Sequence, residues 1–191
     1  MIGFTRGLGL RGGGVYAMLI PERDLMKKPL SKSPHSLSHF SPAGDVHMVD
    51  VGHKTATARM ARARARVRWN ALVSRELARN PKGNPLEIAR IAGIQAAKRT
   101  AELIPLCHSL PLDRVEIRIK RLGRGVEIVA EAATHAVTGV EMEALTAASV
   151  AALTVYDMCK ALDHGIVIER IELLEKRGGK SGPWRRPRAS S

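Results

Sequence analysis

Along the middle of the chain, Arg62, Arg64, Arg66 and Arg68 interleave with Ala63, Ala65, Val67 and Trp69. This period of two predicts a strand with one charged and one apolar face. A short helix is expected from Asn70 to Arg79. Asn84-Pro85-Leu86-Glu87 then reads as a helix start, with an N-cap side chain, proline at the first helical position and a glutamate placed to close a capping box. That helix is expected to reach about Glu102 and must end before Pro105. Val115, Ile117 and Ile119 alternate with Glu116, Arg118 and Lys120, and Gly123 to Gly125 turns the chain into Val126 to Ala132, which predicts a hairpin. Thr138, with Glu141 three residues on, reads as a second capping box, opening an Ala-rich helix expected to stop near Gly165. A final strand is expected over Ile166 to Leu174.

The resulting order, β-α-α-β-β-α-β, is the split βαβ plan with one extra helix. It predicts an α+β, ferredoxin-like chain whose antiparallel sheet is covered on one face by helices. No internal repeat is visible. Residues 1–38 hold Gly12-Gly13-Gly14 and then Pro21, Pro29 and Pro34 among Lys and Ser, so a disordered N-terminal extension is expected there. Residues 39–176 form the expected structured domain, and residues 177–191 a basic, Gly- and Pro-rich C-terminal tail.

Composition narrows this picture. A chain of 191 residues with 45% hydrophobic and 26% charged residues suits one globular domain, and 3% aromatic residues imply a core of Ala, Ile, Leu and Val. Collagenous, disulfide-scaffold and mostly disordered classes are excluded. Of the net charge of +13, the two ends supply nine, +4 from residues 1–38 and +5 from residues 175–191. Basic ends usually solubilise or touch polyanions nonspecifically, and the mildly positive middle equally suits a small anionic substrate. Cys107 and Cys159 form no CxxC pair and complete no zinc site, which fits a reducing, cytoplasmic setting. The uncharged run Ala144 to Tyr156 is shorter than the roughly 20 residues a spanning helix needs, so it reads as a buried helix rather than a membrane span. The Gly-rich start lacks the apolar region of an export signal.

The long helix carries the most informative groups. Asp157 and Lys160 stand three residues apart on one face, after thirteen uncharged residues. Desolvation at that place would disfavour both charges while their proximity restores them, an environment that tunes a general acid and base. The same spacing also describes a solvated surface bridge. Glu141 and Glu143 lie at the other end of the helix, where acidic side chains also simply meet the helix dipole. Fourteen residues separate Glu143 from Asp157, about 21 Å along a continuous helix, so both can act on one small ligand only from different subunits.

Leu106-Cys107-His108 follows Pro105 in a turn between helix and strand, as binding groups or as a packed polar pair. Lys82-Gly83, before a helix N-terminus, resembles an anion site without P-loop spacing. Lys176 and Lys180 flank Gly178-Gly179, and can fold over a phosphate or stand in solvent. The arginine stripe argues for nucleic acid, yet it lacks interleaved aromatic residues and any zinc, helix-turn-helix or RNP-type signature.

Taken together, the segments closely resemble the molybdenum cofactor biosynthesis protein C family, the cyclic pyranopterin monophosphate synthases, from about His39 to Trp184. The stretches that carry the resemblance are His47-Met48-Val49-Asp50-Val51, the run from Ala89 to Thr100, Leu103-Ile104-Pro105-Leu106-Cys107-His108, and the unbroken run from Thr138 to Ala161. The resemblance implies a ferredoxin-like subunit assembled as a homohexamer, a trimer of dimers with active sites at the dimer interface. It implies a lyase that converts (8S)-3',8-cyclo-7,8-dihydroguanosine 5'-triphosphate, a GTP-derived substrate, into the pterin cyclic pyranopterin monophosphate plus diphosphate in molybdopterin synthesis. No cofactor or resident metal is implied, although the triphosphate leaves room for a divalent ion such as Mg.

By the same resemblance the catalytic groups fall on Asp157, Lys160 and Lys82. Substrate contacts fall on Leu106, Cys107, His108, Met142 and Glu143, with Glu141, Asp50, Arg59 and Lys176 as further members. Two positions depart from the family pattern: Asn84-Pro85 follows Lys82-Gly83 where Asp is usual, and Ser109 stands where proline commonly follows the histidine. The competing readings are a basic nucleic-acid-binding module and a family relative that keeps the fold without activity.

Overall fold

The structure, a computed structural model, describes residues 44–187; the extension expected over residues 1–38 lies outside the described residues. One antiparallel sheet contains β1 (Thr57–Arg68), β2 (Arg114–Leu122), β3 (Gly125–Ala136), β4 (Val167–Arg177) and β5 (Trp184–Arg185), in the order β2-β3-β1-β4-β5. The helices are α1 (Ala71–Glu76), α2 (Pro85–Lys98), α3 (Thr100–Leu103) and α4 (Glu141–Cys159). With α2 and α4 as the crossovers and β1 flanked by β3 and β4, this is the expected ferredoxin-like α+β arrangement.

The period of two in β1 divides the sheet into two chemically distinct faces. Ala61, Ala63, Ala65 and Val67 are fully buried and pair in register with Ala132, Ala130, Ile128 and Val126 of β3. Against them lies α4, with Ala144, Ala147, Ala148, Ala151, Ala152 and Val155 inaccessible to solvent. Small side chains let the helices approach closely. At Gly93 of α2 a Cβ would stand 3.0 Å from the Ala147 carbonyl oxygen and 3.2 Å from the Ala151 Cβ.

The opposite face is ionic rather than simply solvated. Arg62 bonds Glu131 and stands 3.6 Å from Glu175, Arg64 lies between Glu127 and Glu172, and Arg68 Nε meets Glu169 at 2.6 Å. Glu131 and Glu175 are only 6% and 5% exposed, so their carboxylates sit beneath the arginine heads. Burial alone would push the Glu131 carboxyl up, but Arg62 and Arg114 more than reverse it and hold it below the ordinary value.

Several boundaries differ from the sequence expectations. Arg99, at φ −110° and ψ 13°, breaks the helix expected to reach Glu102, and the Thr100 hydroxyl donates to the Ala96 and Ala97 carbonyls at the break. The Asn84 side chain caps α2 by accepting from the Leu86 and Glu87 amides, but Glu87 turns to Arg90 instead of closing the box. Among the described residues no side chain caps α4, so the expected Thr138–Glu141 box does not form; the Glu141 carboxylate is taken by Lys176 Nζ at 3.0 Å. That helix also ends at Cys159, short of Gly165, because the chain turns through Asp163, whose side chain accepts from the Gly165 and Asn70 amides. β4 runs past Leu174 to Arg177, which pairs with Met60 of β1. Beyond it, β5 adds a short fifth strand through Glu175–Arg185 and Lys176–Trp184 pairing.

Candidate functional site

The twelve singled-out residues fall at the two ends of α4. At its C-terminal end, Lys160 Nζ meets Asp157 Oδ1 at 2.8 Å. This pair is open to solvent, with side chains 50% and 60% exposed, so of the two readings of its spacing the solvated surface bridge holds and the desolvated environment does not. The burial expected there falls instead on the residues one helical face away, such as Val155 and Cys159. The Lys160 hydrogen bond and charge hold the Asp157 carboxyl below the usual carboxylate range, with Lys82 adding to the effect, and Asp157 in turn raises Lys160.

Lys82 reaches this end through its loop. Asn80 Nδ2 donates to the Met158 carbonyl at 2.7 Å, while Asn80 Oδ1 accepts from the Lys82 amide at 3.0 Å. Gly83 completes the turn at φ +98°, a conformation that suits glycine, and its amide donates to the Asn80 carbonyl. Asn80 therefore staples the lysine loop to the last turn of α4.

At the N-terminal end, two small groups flank the helix. Cys107 Sγ donates to Glu143 Oε1 at 3.7 Å, and His108 Nε2 pairs with the Val49 carbonyl at 2.9 Å, which docks the segment carrying Asp50 beside the Leu106-Cys107-His108 turn. Asp50 itself accepts from the Gly52 amide. Glu143 is 3% exposed, and its Oε2 has no hydrogen-bond partner among the described residues. Burial pushes the Glu143 carboxyl up, and burial together with Glu143 pushes the Cys107 thiol up to about 11. Met142 stands between Glu141 and Glu143 on the first turn of α4.

On the other side of that end, a cavity of about 210 Å³ is lined by Arg59, Thr138, Gly139, Glu141, Lys176 and Ser181, among others. Arg59 Nε donates to the Ala136 carbonyl at 3.0 Å and Nη2 to Val137 at 3.1 Å, which ties its guanidinium to the end of β3. Ser181 was not singled out in the sequence, and Thr138 only as a helix cap and the start of a run of resemblance. The signal nearest to them was the Gly178-Gly179 pair between lysines, whose position against Arg59 depends on strand pairing between β1 and β4.

Within one chain, then, Arg59, Glu141 and Lys176 come together, as do Cys107 and Glu143, and as do Lys82, Asp157 and Lys160. The last three stand about 21 Å from Glu143 along an unbroken helix. Among the described residues, no group of three or more His, Cys, Asp or Glu side chains is arranged to hold a metal ion, and no helix is long and apolar enough to cross a membrane.

A ferredoxin-like α+β chain that places cations and carboxylates at the two ends of one helix has the equipment of an acid–base enzyme for an anionic small molecule. Comparison with known proteins makes the assignment specific: the MoaC family matches residues 48–179, and the chain belongs to that family. The chain is 57% identical over 159 residues to the cyclic pyranopterin monophosphate synthase of Bordetella petrii, covering 81% of this chain and 98% of that protein. It is 54% identical to the synthase of Thermomicrobium roseum, over 78% of this chain and 93% of that one. With the Chloroflexus aurantiacus synthase it shares 50% identity over 83% of this chain and 100% of the relative.

Proposed function

We propose that the chain is a cyclic pyranopterin monophosphate synthase, a lyase that converts (8S)-3',8-cyclo-7,8-dihydroguanosine 5'-triphosphate into cyclic pyranopterin monophosphate with release of diphosphate. The observation that carries this reading is likeness of 50–57% identity to proteins so named, over nearly their whole length. The geometry supports a division of labour. Lys82, Arg59 and Lys176 neutralise the triphosphate, Asp157 with Lys160 moves protons, and Cys107, His108, Met142 and Glu143 hold the guanine-derived ring. Burial favours the protonated form of Glu143, so its free oxygen can donate to a ring acceptor as well as accept from an N–H.

Because the two groups of charges stand at opposite ends of α4, the site is completed by a second copy, whose Lys82, Asp157 and Lys160 face the first copy's Glu143 end. Leu153, one turn before Asp157 on the same helix face, is 56% exposed, and Ile91 of α2 is 57% exposed, as suits surfaces covered in an assembly. We place the enzyme in the cytoplasm as a homohexamer built from three such dimers, working without a bound cofactor, with any divalent ion arriving on the triphosphate. Pairing of the arginine stripe with glutamates weighs against its use as a nucleic-acid track.

The test is release of diphosphate and formation of the pterin by the purified chain and by its Asp157→Asn variant. Turnover lost in the variant supports both the activity and the residue. Normal turnover in the variant refutes the proton role, and no turnover by the unmodified, assembled chain refutes the activity.

A further inference from the structure

We propose that Gly179 is a positioning residue: its bare backbone seats the Arg59 guanidinium so that Arg59 and Lys176 jointly bind the phosphate groups of the substrate in the cavity beside Glu141. This inference rests on the substrate class given under Proposed function.

The observation behind it is steric. Gly178 and Gly179 follow β4 with φ of +88° and +77°. A Cβ at Gly179 would overlap Arg59 Nη1 and stand 2.9 Å from Cζ, so only glycine lets the guanidinium lie against this turn. The opposite side of the guanidinium is fixed by the Ala136 and Val137 carbonyls. Arg59 is thus held between a strand end and a bare backbone, with Nη1 given no protein acceptor among the described residues. The same turn carries Ser181, and the strand before it carries Lys176, both on the cavity wall.

Charge and shape agree on an oxyanion. The guanidinium is a planar donor matched to phosphate oxygens, and Lys176 adds a point charge. The one carboxylate on the wall among the described residues, Glu141, is already occupied by Lys176 Nζ at 3.0 Å, which fixes the ammonium's position at the cavity. A guanidinium displaced by a methyl group would lose its carbonyl partners and its alignment with Lys176 together.

The turn also supplies its own control. Gly182 has φ +69°, and a Cβ there meets nothing within 4 Å. Gly182→Ala therefore carries the left-handed backbone penalty without touching Arg59.

The experiment measures binding of inorganic tripolyphosphate by calorimetry to the full-length, assembled protein, together with kcat, KM and melting temperature. Gly179→Ala is expected to weaken tripolyphosphate binding about tenfold or more and to raise KM more than it lowers kcat, as loss of charge-assisted hydrogen bonds would do. Gly182→Ala is expected to bind as the unmodified protein does. Equal affinities in the two alanine variants would overturn the proposal.

Should Gly179→Ala fold poorly, the Arg59→Lys and Arg59→Lys/Gly179→Ala proteins replace it. With no guanidinium to displace, the double variant is expected to bind tripolyphosphate as Arg59→Lys does. A further tenfold loss in the double variant would overturn the positioning role. Tripolyphosphate binding that depends on Gly179 in a protein with no synthase turnover would refute the proposed activity and leave the seat standing. Full turnover with an affinity indifferent to Arg59→Lys would refute the seat and leave the activity standing.

Discussion

Cys107 Sγ lies 3.7 Å from Glu143 Oε1, joining the turn before β2 to the first turn of α4, while Glu143 Oε2 is buried without a partner among the described residues. A buried carboxyl of this kind is favoured in its neutral form. Its folded pKa stands above the ordinary 4.5, so its contribution to stability is fully present below pH 4.5 and is lost as pH rises through the folded value. Glu143→Gln, neutral at every pH, is expected to melt about 2–4 °C above the unmodified chain at pH 8, a shift of ~1 kcal/mol for a chain of this size. The two are expected to converge near pH 4. Melting curves across that range check it.

The same contact sets the chemistry of the thiol. With Cys107 and Cys159 both pushed up to about 11, iodoacetamide is expected to label the native protein slowly at pH 7.5. The Cys107 rate is expected to climb close to tenfold per pH unit up to pH 10. A pH-independent rate, followed by mass spectrometry, would contradict the buried, glutamate-bound thiol.

Gly93→Ala tests the contact between α2 and α4. Its new methyl group would meet the Ala147 carbonyl at 3.0 Å, the Ala151 Cβ at 3.2 Å and Ile117 Cδ1 at 3.2 Å, so the helices must move apart. Overpacking of this kind costs about 1–3 kcal/mol. The melting temperature is expected to fall by several degrees, although alanine is ordinarily the better helix residue.

The ionic face predicts an acid limb. Glu172 is held by Arg64, by Arg186 at 3.3 Å and by Arg170 at 3.7 Å, and together these outweigh the upward push of burial. Its pKa is held below 4.5, so its contribution is present above that pH and disappears as pH falls through the folded value. Glu172→Gln is expected to lose about 1–2 kcal/mol at pH 7, less than a fully buried pair because the arginine heads are partly solvated. Its melting temperature is then expected to fall less steeply between pH 5 and 3.

Asn80→Ala should uncouple Lys82 from α4. The variant loses the bond to the Met158 carbonyl and the local bond to the Lys82 amide. A stability loss of about 1–2 kcal/mol and a fall in turnover larger than that loss explains are expected. Unchanged turnover would show that the loop holds Lys82 without this staple.

Patterns local in sequence proved the most legible. The alternation in β1 and in the hairpin gave the strands and their faces, and Asn84 with Pro85 gave the start of α2. What was not legible depends on partners distant in the chain. The uncharged run before Asp157 suggested desolvation, but helix periodicity turns Asp157 and Leu153 outward while Val155 and Cys159 face the sheet. The Thr138–Glu141 box was a sound local pattern that lost to Lys176, brought to Glu141 by β4. Asn80, which positions Lys82, looked like an ordinary loop residue because its acceptor lies 78 positions away.

The cavity wall around Gly178 and Ser181 is tied down on its far side by β5, only two residues long and extended by Arg186, whose amide and Nε donate to the Leu174 and Leu173 carbonyls at 2.8 and 2.7 Å. So short a pairing unzips by local opening long before the twelve-residue β1–β3 ladder does. Amide exchange at Arg186 therefore clocks how often this wall opens at the sheet margin.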